Sequence, residues 1–446
     1  MVYAASTMTM APGEPSPTMT PDERRNQRNA VLAGFLGWTL DALDFFILTL
    51  VIDDIAKSFG RTRPAIAVTL TVTLMMRPLG AIIFGIMADR LGRRLPLMIN
   101  VIFYAVISVL SGLAPNYLVF LLLRLLFGIG MGGEWGVGAS LALEWGSPRL
   151  RGLLSGLLQE GYALGSVLAA LAFRLLYPWF NTLYPGNGWR LMFFLGGLPA
   201  LLSIFIRSKV KESAAWHEHK TDWANYRRSL LKHWRRFLYI VLLMTMMNFM
   251  SHGTQDMYPT LLTSVGYAKA RIADITVLAG IGAIIGGLVF GYYSDRAGRR
   301  RAMTIAMVCG LVVVPFWIAG QSPWRILIGV FLMQFFVQGA WGVIPAHINE
   351  LSPNQLRGFF PGFAYQLGVM CAASIPYIEA VLGEQFSYTT AMGGLVAIVF
   401  ISAFVVTSLG PEAKGISFRK PKPDDPHVEL PAARVETIGA GSSNRT

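Results

Sequence analysis

GIMADRLGRR, residues 85–94, has a near copy in GYYSDRAGRR, residues 291–300. The two are 291 − 85 = 206 residues apart, and the same offset relates Asp89 to Asp295, Arg90 to Arg296, Gly92 to Gly298 and Arg93 to Arg299. It also carries GEWGV (133–137) onto GAWGV (339–343), Glu144 onto Glu350, and Arg151-Gly152 onto Arg357-Gly358. So many matches in one register mean that one unit occurs twice, in tandem. Each copy of the charged motif separates two apolar runs, so the nature of those runs decides the fold.

Of the 446 residues 54% are hydrophobic and only 14% charged, where a soluble domain carries about 25% charged residues. The mean hydropathy is +0.50. The apolar runs are about 20 residues long, enough to cross a hydrocarbon core of ~30 Å as helices. A sheet barrel would instead show segments of ~10 alternating residues. The net charge of +13 does not point to nucleic acid, because Lys and Arg punctuate alternate loops instead of lining one face. Cys309 and Cys371 both fall in apolar segments and read as small core residues, not as a disulfide or metal pair. No nucleophile–base pair, metal-ligand spacing or phosphate-binding glycine loop stands out. We therefore expect no catalytic site, cofactor or metal, and read GIGMGGEWGVG as close helix packing.

Apolar windows fall near 30–52, 65–88, 95–114, 117–143, 152–176 and 189–207, then 236–264, 272–293, 302–320, 324–348, 357–382 and 387–409. The expected fold is an all-α membrane protein, with twelve transmembrane helices in two pseudo-symmetric six-helix bundles at 30–207 and 236–409. Between them, 208–235 is basic and reads as an amphipathic cytoplasmic segment; 1–29 and 410–446 read as cytoplasmic tails, the first of them disordered. No apolar stretch with a cleavage site opens the chain. The charge asymmetry predicts a multi-pass protein of the cell (inner or plasma) membrane with both termini inside. Two parallel six-helix repeats are the architecture of an alternating-access carrier with its site between the halves.

The pattern G-x-x-x-D-R-x-G-R-R between spans two and three, echoed between eight and nine, resembles the signature of the major facilitator superfamily over essentially the whole chain. Arg124 to Gly130 is similar to that superfamily's fourth-helix motif, departing from it at Phe127. The loop residues make sense as gates. Asp89, Arg90, Arg93, Arg94, Glu144 and Arg151, with their repeats Asp295, Arg296, Arg299, Glu350 and Arg357, can pair with each other and with helix ends of the opposite bundle.

An ionisable residue at mid-membrane costs roughly 2.5–3.5 kcal/mol on the mildest scale, so each is a functional candidate. Asp41 and Asp44 share a face of the first span; Arg77 lies midway along the second, without a charged counterpart at Ala283. Arg77 suits a planar carboxylate, or structural pairing with a neighbouring Asp. Asp41 or Asp44 with Arg124 can form a buried pair, either proton-coupled or static. Glu134 and Glu160 are further candidates for proton coupling, and Gln366 lies 206 residues after Glu160. His347 reads as an interfacial residue.

In NFMSHGTQDMYPT (248–260), Asn248, His252, Gln255 and Asp256 fall within about 100° of helical arc, with Ser251 beside them. That stripe is expected to face the other bundle or a wet cavity, and Pro259 to break the helix near its outer end. The run resembles the seventh-helix signature of the lactate/pyruvate:proton symporters, which group with the sialate:proton symporters. The resemblance also covers Arg77 and Gln366, and departs at Val369 where that family has Asn. It implies proton-coupled symport of a small monocarboxylate, with Arg77, Asn248, Ser251, His252, Gln255 and Gln366 on the anion. Asp41, Asp44, Arg124, Glu134, Glu160 and Asp256 are the proton-coupling candidates. The expected partners are a small organic anion, a proton and the lipid bilayer, with no nucleic acid and a functional monomer. The alternatives are sialate or another organic acid, aromatic or dicarboxylic, as cargo and, against the grain of Arg77, a drug exporter.

Overall fold

The computed structural model describes residues 20–218, 223–318, 322–416 and 418. The disorder expected of the first tail falls, over 1–19, outside the described residues, as do the chain beyond 418, part of the central segment and the loop at 321. Within them the chain is helical. Eleven helices are long and apolar enough to cross a membrane. The twelfth crossing is the eleventh span, which breaks at Ala373–Ser374 into Phe360–Ala372 and Ile375–Gln385. The twelve-helix, two-bundle fold is therefore as the repeat requires.

The spans are Pro21–Leu50, Arg63–Leu91, Arg94–Gly112, Tyr117–Trp145, Arg151–Leu183 and Gly188–Lys209 in the first bundle. The second bundle has Trp234–Ser264, Lys269–Ala297, Arg299–Trp317, Pro323–Leu351, the broken eleventh and Tyr388–Leu409. Packing repeats as well: the second span lies on the fourth as the eighth lies on the tenth. The first span starts earlier than expected. Thr20 and Glu23 form a reciprocal capping box ahead of Pro21 at the first helical position, so 21–29 is helix and not a loose tail.

The central segment forms Ala214–Glu218 and Trp223–Lys232, and it packs against the second-to-third-span loop. Trp216 donates to the Asp89 carbonyl at 2.9 Å, and the Tyr226 hydroxyl reaches Asp89 Oδ2 at 3.4 Å. His347 is fully buried, not interfacial, because the tenth span runs three residues past the expected end and is enclosed there. Cys371 is exposed, and Cys309 is half-buried; only Cys309 approaches the expected core role.

Substantial contacts between the bundles gather at one end, the basic end carrying the two DR-x-GRR loops. There the first part of the fifth span packs on the eighth and tenth, and the eleventh on the second and fourth. Gly136 and Gly362 make one close crossing: a Cβ on Gly136 would lie 2.7 Å from the Gly362 Cα, and Gly156 on the fifth span approaches Gly287 on the eighth more closely still, a Cβ there standing 2.4 Å from the Gly287 carbonyl oxygen.

Candidate functional site

The basic end is sealed by a lock that repeats with the chain. Asp89 accepts the backbone N–H of Gly358 at 2.6 Å and of Phe359 at 3.1 Å, while Arg93 bridges Asp89 and Glu144 inside its own bundle. In the mirror copy Asp295 accepts from Gly152 at 2.8 Å and Leu153 at 3.0 Å, and Arg299 bridges Asp295 and Glu350. Gly152 and Leu153 begin the helix Arg151–Gln159, whose free N–H groups and dipole favour a carboxylate. Arg151 crosses to Glu350 at 3.0 Å, and Arg357 crosses to Glu144 at 3.7 Å. Arg90 and Arg296 do not reach across. Both are exposed, Arg296 turning back onto Tyr292. Arg94 bonds the Arg207 carbonyl within its own half.

Three parts of this lock escaped sequence reading. Glu212 accepts the N–H of Arg93 and Arg94, each at 3.0 Å, capping the third span, and Glu412 does the same for Arg299 and Arg300 at the ninth. Each Glu stands three residues beyond the last residue of its bundle's final helix, a signal missed because their separation is not 206. The third is Phe418, whose buried ring lies 3.7 Å from the guanidinium of Arg151 and 3.7 Å from that of Arg357. Arg151 also donates to the Ile416 carbonyl at 2.9 Å. The segment after the twelfth span thus runs back to the first bundle and wedges an aromatic ring between the two crossing arginines.

Away from the lock, Arg77 is buried in an aromatic enclosure. Its guanidinium carbon lies 5.9 Å from the Trp38 ring and 5.7 Å from the Tyr365 ring. Tyr365 lies tilted against Trp135 at 4.6 Å and meets Trp341 edge-on at 5.9 Å, while Tyr162 covers Trp38 at 5.4 Å. Residues from both bundles therefore meet around one cation. Its Nε and Nη2, the edge that grips a carboxylate in two parallel bonds, have no partner among the described residues, and neither do the indole N–H groups of Trp38 and Trp341. Asp41, within electrostatic reach of Arg77, has both oxygens unpartnered. Such a set of buried orphans is unusual in a native protein and calls for a ligand.

The other candidates separate. Asp44 pairs with Arg124 at 3.0 Å, and Arg124 also takes Ser111 at 2.6 Å and sits 4.4 Å from the Phe127 ring. Ser108 bonds Asp44 as well. That pair is sealed inside the first bundle, as a static holding pair would be. Glu134 lies against Gly37 with both oxygens unpartnered. Glu160 reaches across to Gly287 of the eighth span, and Gln366 donates to the Gly132 carbonyl at 3.3 Å, so both span the bundle interface.

The polar stripe of the seventh span is divided by its neighbours. His252 and Asp256 pair at 2.9 Å with about a third of each side chain exposed (37% and 34%), so they line open space. Asn248 turns onto its own helix, donating to Met244 O at 2.8 Å beneath Gly368, and Gln255 bonds Ser251 and Gln334 at 3.1 and 3.0 Å. The helix breaks at Asp256–Met257, with Pro259 in the first turn of the next piece, as expected. Glu379, a lone acid in IPYIEAVLG that sequence reading passed over, is fully buried near Gly253 with both oxygens unpartnered.

Comparison with known proteins agrees with this geometry. Residues 30–237 match the family model for sugar (and other) transporters, and residues 241–439 match that for the Major Facilitator Superfamily. A probable 4-methylmuconolactone transporter of Cupriavidus pinatubonensis is 30% identical, over 90% of this chain and 94% of its own. The sialic acid transporter NanX of Escherichia coli is 28% identical, over 87% and 95%. Among solved structures, the proton:xylose symporter XylE bound to 6-bromo-6-deoxy-D-glucose superposes with a TM-score of 0.71 at 17% identity, covering 88% of this chain and 98% of that one. With the repeat, the twelve spans and the lock in place, the chain belongs to the major facilitator superfamily.

Proposed function

We propose that the protein is a secondary active transporter that takes up a small organic monocarboxylate, of the lactate or pyruvate type, together with a proton. The observation that carries this reading is the unpartnered Nε–Nη2 edge of Arg77 beside the unpartnered carboxyl of Asp41, enclosed by residues of both bundles. An arriving carboxylate takes the guanidinium edge. Asp41 then loses the cation that compensates it, and a proton restores the balance, because an ionised carboxyl without a donor is costly in a dry site. Loaded with both, the site is neutral and can change sides. His252 and Asp256 are about a third exposed, and Asp256 lies within electrostatic reach of Tyr162, which covers Trp38. That the 28%- and 30%-identical relatives bear the names of organic-acid transporters supports the class of cargo.

The lock is closed at the basic end, which the positive-inside rule assigns to the cytoplasm. The conformation is then outward-facing, in a multi-pass inner or plasma membrane protein that carries its whole pathway in one chain. The aromatic walls favour a second cargo of the same class, a planar unsaturated or aromatic acid that stacks on Trp38 and Tyr365.

The test is uptake of labelled lactate, pyruvate, benzoate, muconate and sialate into proteoliposomes, with and without an inward proton gradient. Accumulation of a monocarboxylate that collapses when the gradient is removed is expected. Gradient-indifferent uptake rejects proton symport, and uptake of sialate alone rejects the small-acid reading.

A further inference from the structure

The helix Trp223–Lys232, joined to the seventh span through His233, turns one side to the lock and leaves the other bare. On the inner side Tyr226 is buried, and its hydroxyl reaches Asp89 Oδ2 of the first bundle at 3.4 Å. The helix also packs on the Asn354–Leu356 turn of the second bundle. Asp89 is the acceptor for the Gly358 and Phe359 N–H groups, so the helix braces the joint that these bonds make between the bundles.

The outer side carries Arg227, Arg228 and Lys232, all exposed, with Leu231 64% exposed among them. Arg228 and Lys232 lie one turn apart, as do Arg227 and Leu231, so three cations surround one bare leucine. Trp234 and Arg235 follow at the head of the seventh span, the indole 55% exposed and Arg235 over it at 5.5 Å. From Trp223 to Arg235 the chain has no acidic residue. No carboxylate pairs with any of these four cations among the described residues.

Apolar tips set among unpaired cations, at the point where the chain enters the membrane, match the boundary between headgroups and acyl chains. Leucine and tryptophan settle on the acyl side while the cations meet phosphates. The end of this chain is no rival occupant: residues 419–446 carry five Lys or Arg against four Asp or Glu, 5 − 4 = +1, which does not complement a basic face.

We propose that this face is a docking surface for anionic phospholipid headgroups of the leaflet at the basic end, and that their binding holds the Asp89 joint of the lock shut. The coupling runs through the order of the helix. With only ten residues it is marginal as a helix in water. Tyr226 and the Asn354–Leu356 turn hold it from the inside, and headgroups hold the same helix from the outside. Two ligands that order one element favour each other, so lipid strengthens the joint and the closed joint strengthens lipid binding. The proposal is independent of the cargo.

The probe is phosphatidylglycerol. Full-length protein, without organic substrate, is placed in nanodiscs of phosphatidylcholine alone or of a phosphatidylcholine–phosphatidylglycerol mixture. Backbone hydrogen exchange is read at 226–232 for the helix, and at Gly358 and Phe359 for the joint. Exchange counts rare openings, so it responds even when the joint is mostly shut. Phosphatidylglycerol is expected to slow exchange at both places in wild type. One cation near an anionic surface contributes about fivefold to binding. Arg228→Gln should therefore lose part of the slowing, and Arg227→Gln/Arg228→Gln/Lys232→Gln nearly all of it. Lys209→Gln/Lys211→Gln/Arg301→Gln removes the same charge from other exposed positions at this end and should respond as wild type does. Tyr226→Phe should keep the slowing at 226–232 and weaken it at Gly358 and Phe359. Equal exchange in the two lipids for wild type overturns the proposal. So does slowing at 226–232 without slowing at Gly358 and Phe359, or a response that both triple variants keep or lose alike. Arg228→Gln, which changes a single exposed side chain, carries the test if the triple variant fails to fold.

Discussion

Replacing Asp295 by Asn should open the basic end. Asp295 spends one oxygen on Gly152 N–H at 2.8 Å and the other on Leu153 N–H at 3.0 Å. The amide of Asn keeps one acceptor, so one of these two bonds is lost, and the other changes from charged to neutral. A hydrogen bond to a charged group contributes about 1.5–3 kcal/mol, and the lost anion at a helix N-terminus about 0.3–1 kcal/mol more. The Arg299 ion pair weakens too, but Arg299 retains both contacts to Glu350, at 2.9 and 3.0 Å, inside its own bundle. Both lost terms exist only while the two bundles meet at this end. Their removal should therefore shift the equilibrium towards the conformation open at the basic end by roughly 2–4 kcal/mol, or about 30- to 700-fold at 1.4 kcal/mol per tenfold. Spin-label distances between the basic-end loops of the two bundles, measured in purified protein, should gain a longer population. An unchanged distance distribution, or one shifted to the closed form, refutes the view that Asp295 is a cross-bundle lock.

Phe418→Ala removes a ring held between Arg151 and Arg357. At about 0.5–2 kcal/mol for each cation–π contact, the same distance measurement should show the basic end opening by about fivefold or more. Gly136→Leu puts a side chain where a Cβ alone would already stand 2.7 Å from the Gly362 Cα; the fourth and eleventh spans should no longer close, and a cysteine placed beside them should become reactive to a water-soluble thiol reagent. Arg77→Lys forfeits the two-bond edge and should lower kcat/KM for the transported acid at least tenfold; wild-type uptake by this variant counts against the anion site. Burial pulls the Glu412 carboxyl up, but N–H donors from Ala413, Lys414 and Arg299 and the nearby His347 outweigh it and hold the group below its ordinary value of 4.5. A depressed carboxyl contributes stability that is fully present above that ordinary value and is lost as pH falls through the lower folded one. Wild type should therefore unfold at a higher temperature than Glu412→Gln near neutral pH, with the gap closing below about pH 4.5.

The first span shows how far local signals reach. Its apolar length declared a crossing, but its start was placed nine residues late, because a capping box is a short-range geometry hidden in a polar segment. The broken eleventh span was legible as one apolar window, whereas its hinge at Ala373–Ser374 was not, although Pro376 stands in the first turn of the second piece, where a proline is tolerated without announcing a break. In the site, Arg77 was found by the cost of a mid-membrane charge. Its walls were not, because Trp38, Trp135, Trp341 and Tyr365 look like ordinary apolar filling until four distant helices bring them together. Glu379 was passed over for the opposite reason: a lone polar residue in an apolar run carries no periodicity to announce it.

By itself the sequence determined the class, the twelve crossings, the duplication and the charged loops. Each of these depends on chain-local quantities: the length of an apolar run against the bilayer, the period of a helix, the register of a repeat. Which charges are partnered was decided only by tertiary structure. Asp44 and Asp41 sit three residues apart, and yet Asp44 is neutralised by Arg124 while Asp41 faces Arg77 with empty oxygens. A hundred degrees per residue turns the two side chains towards different neighbours on other helices, and in a medium without water the neighbour determines what a charge can do.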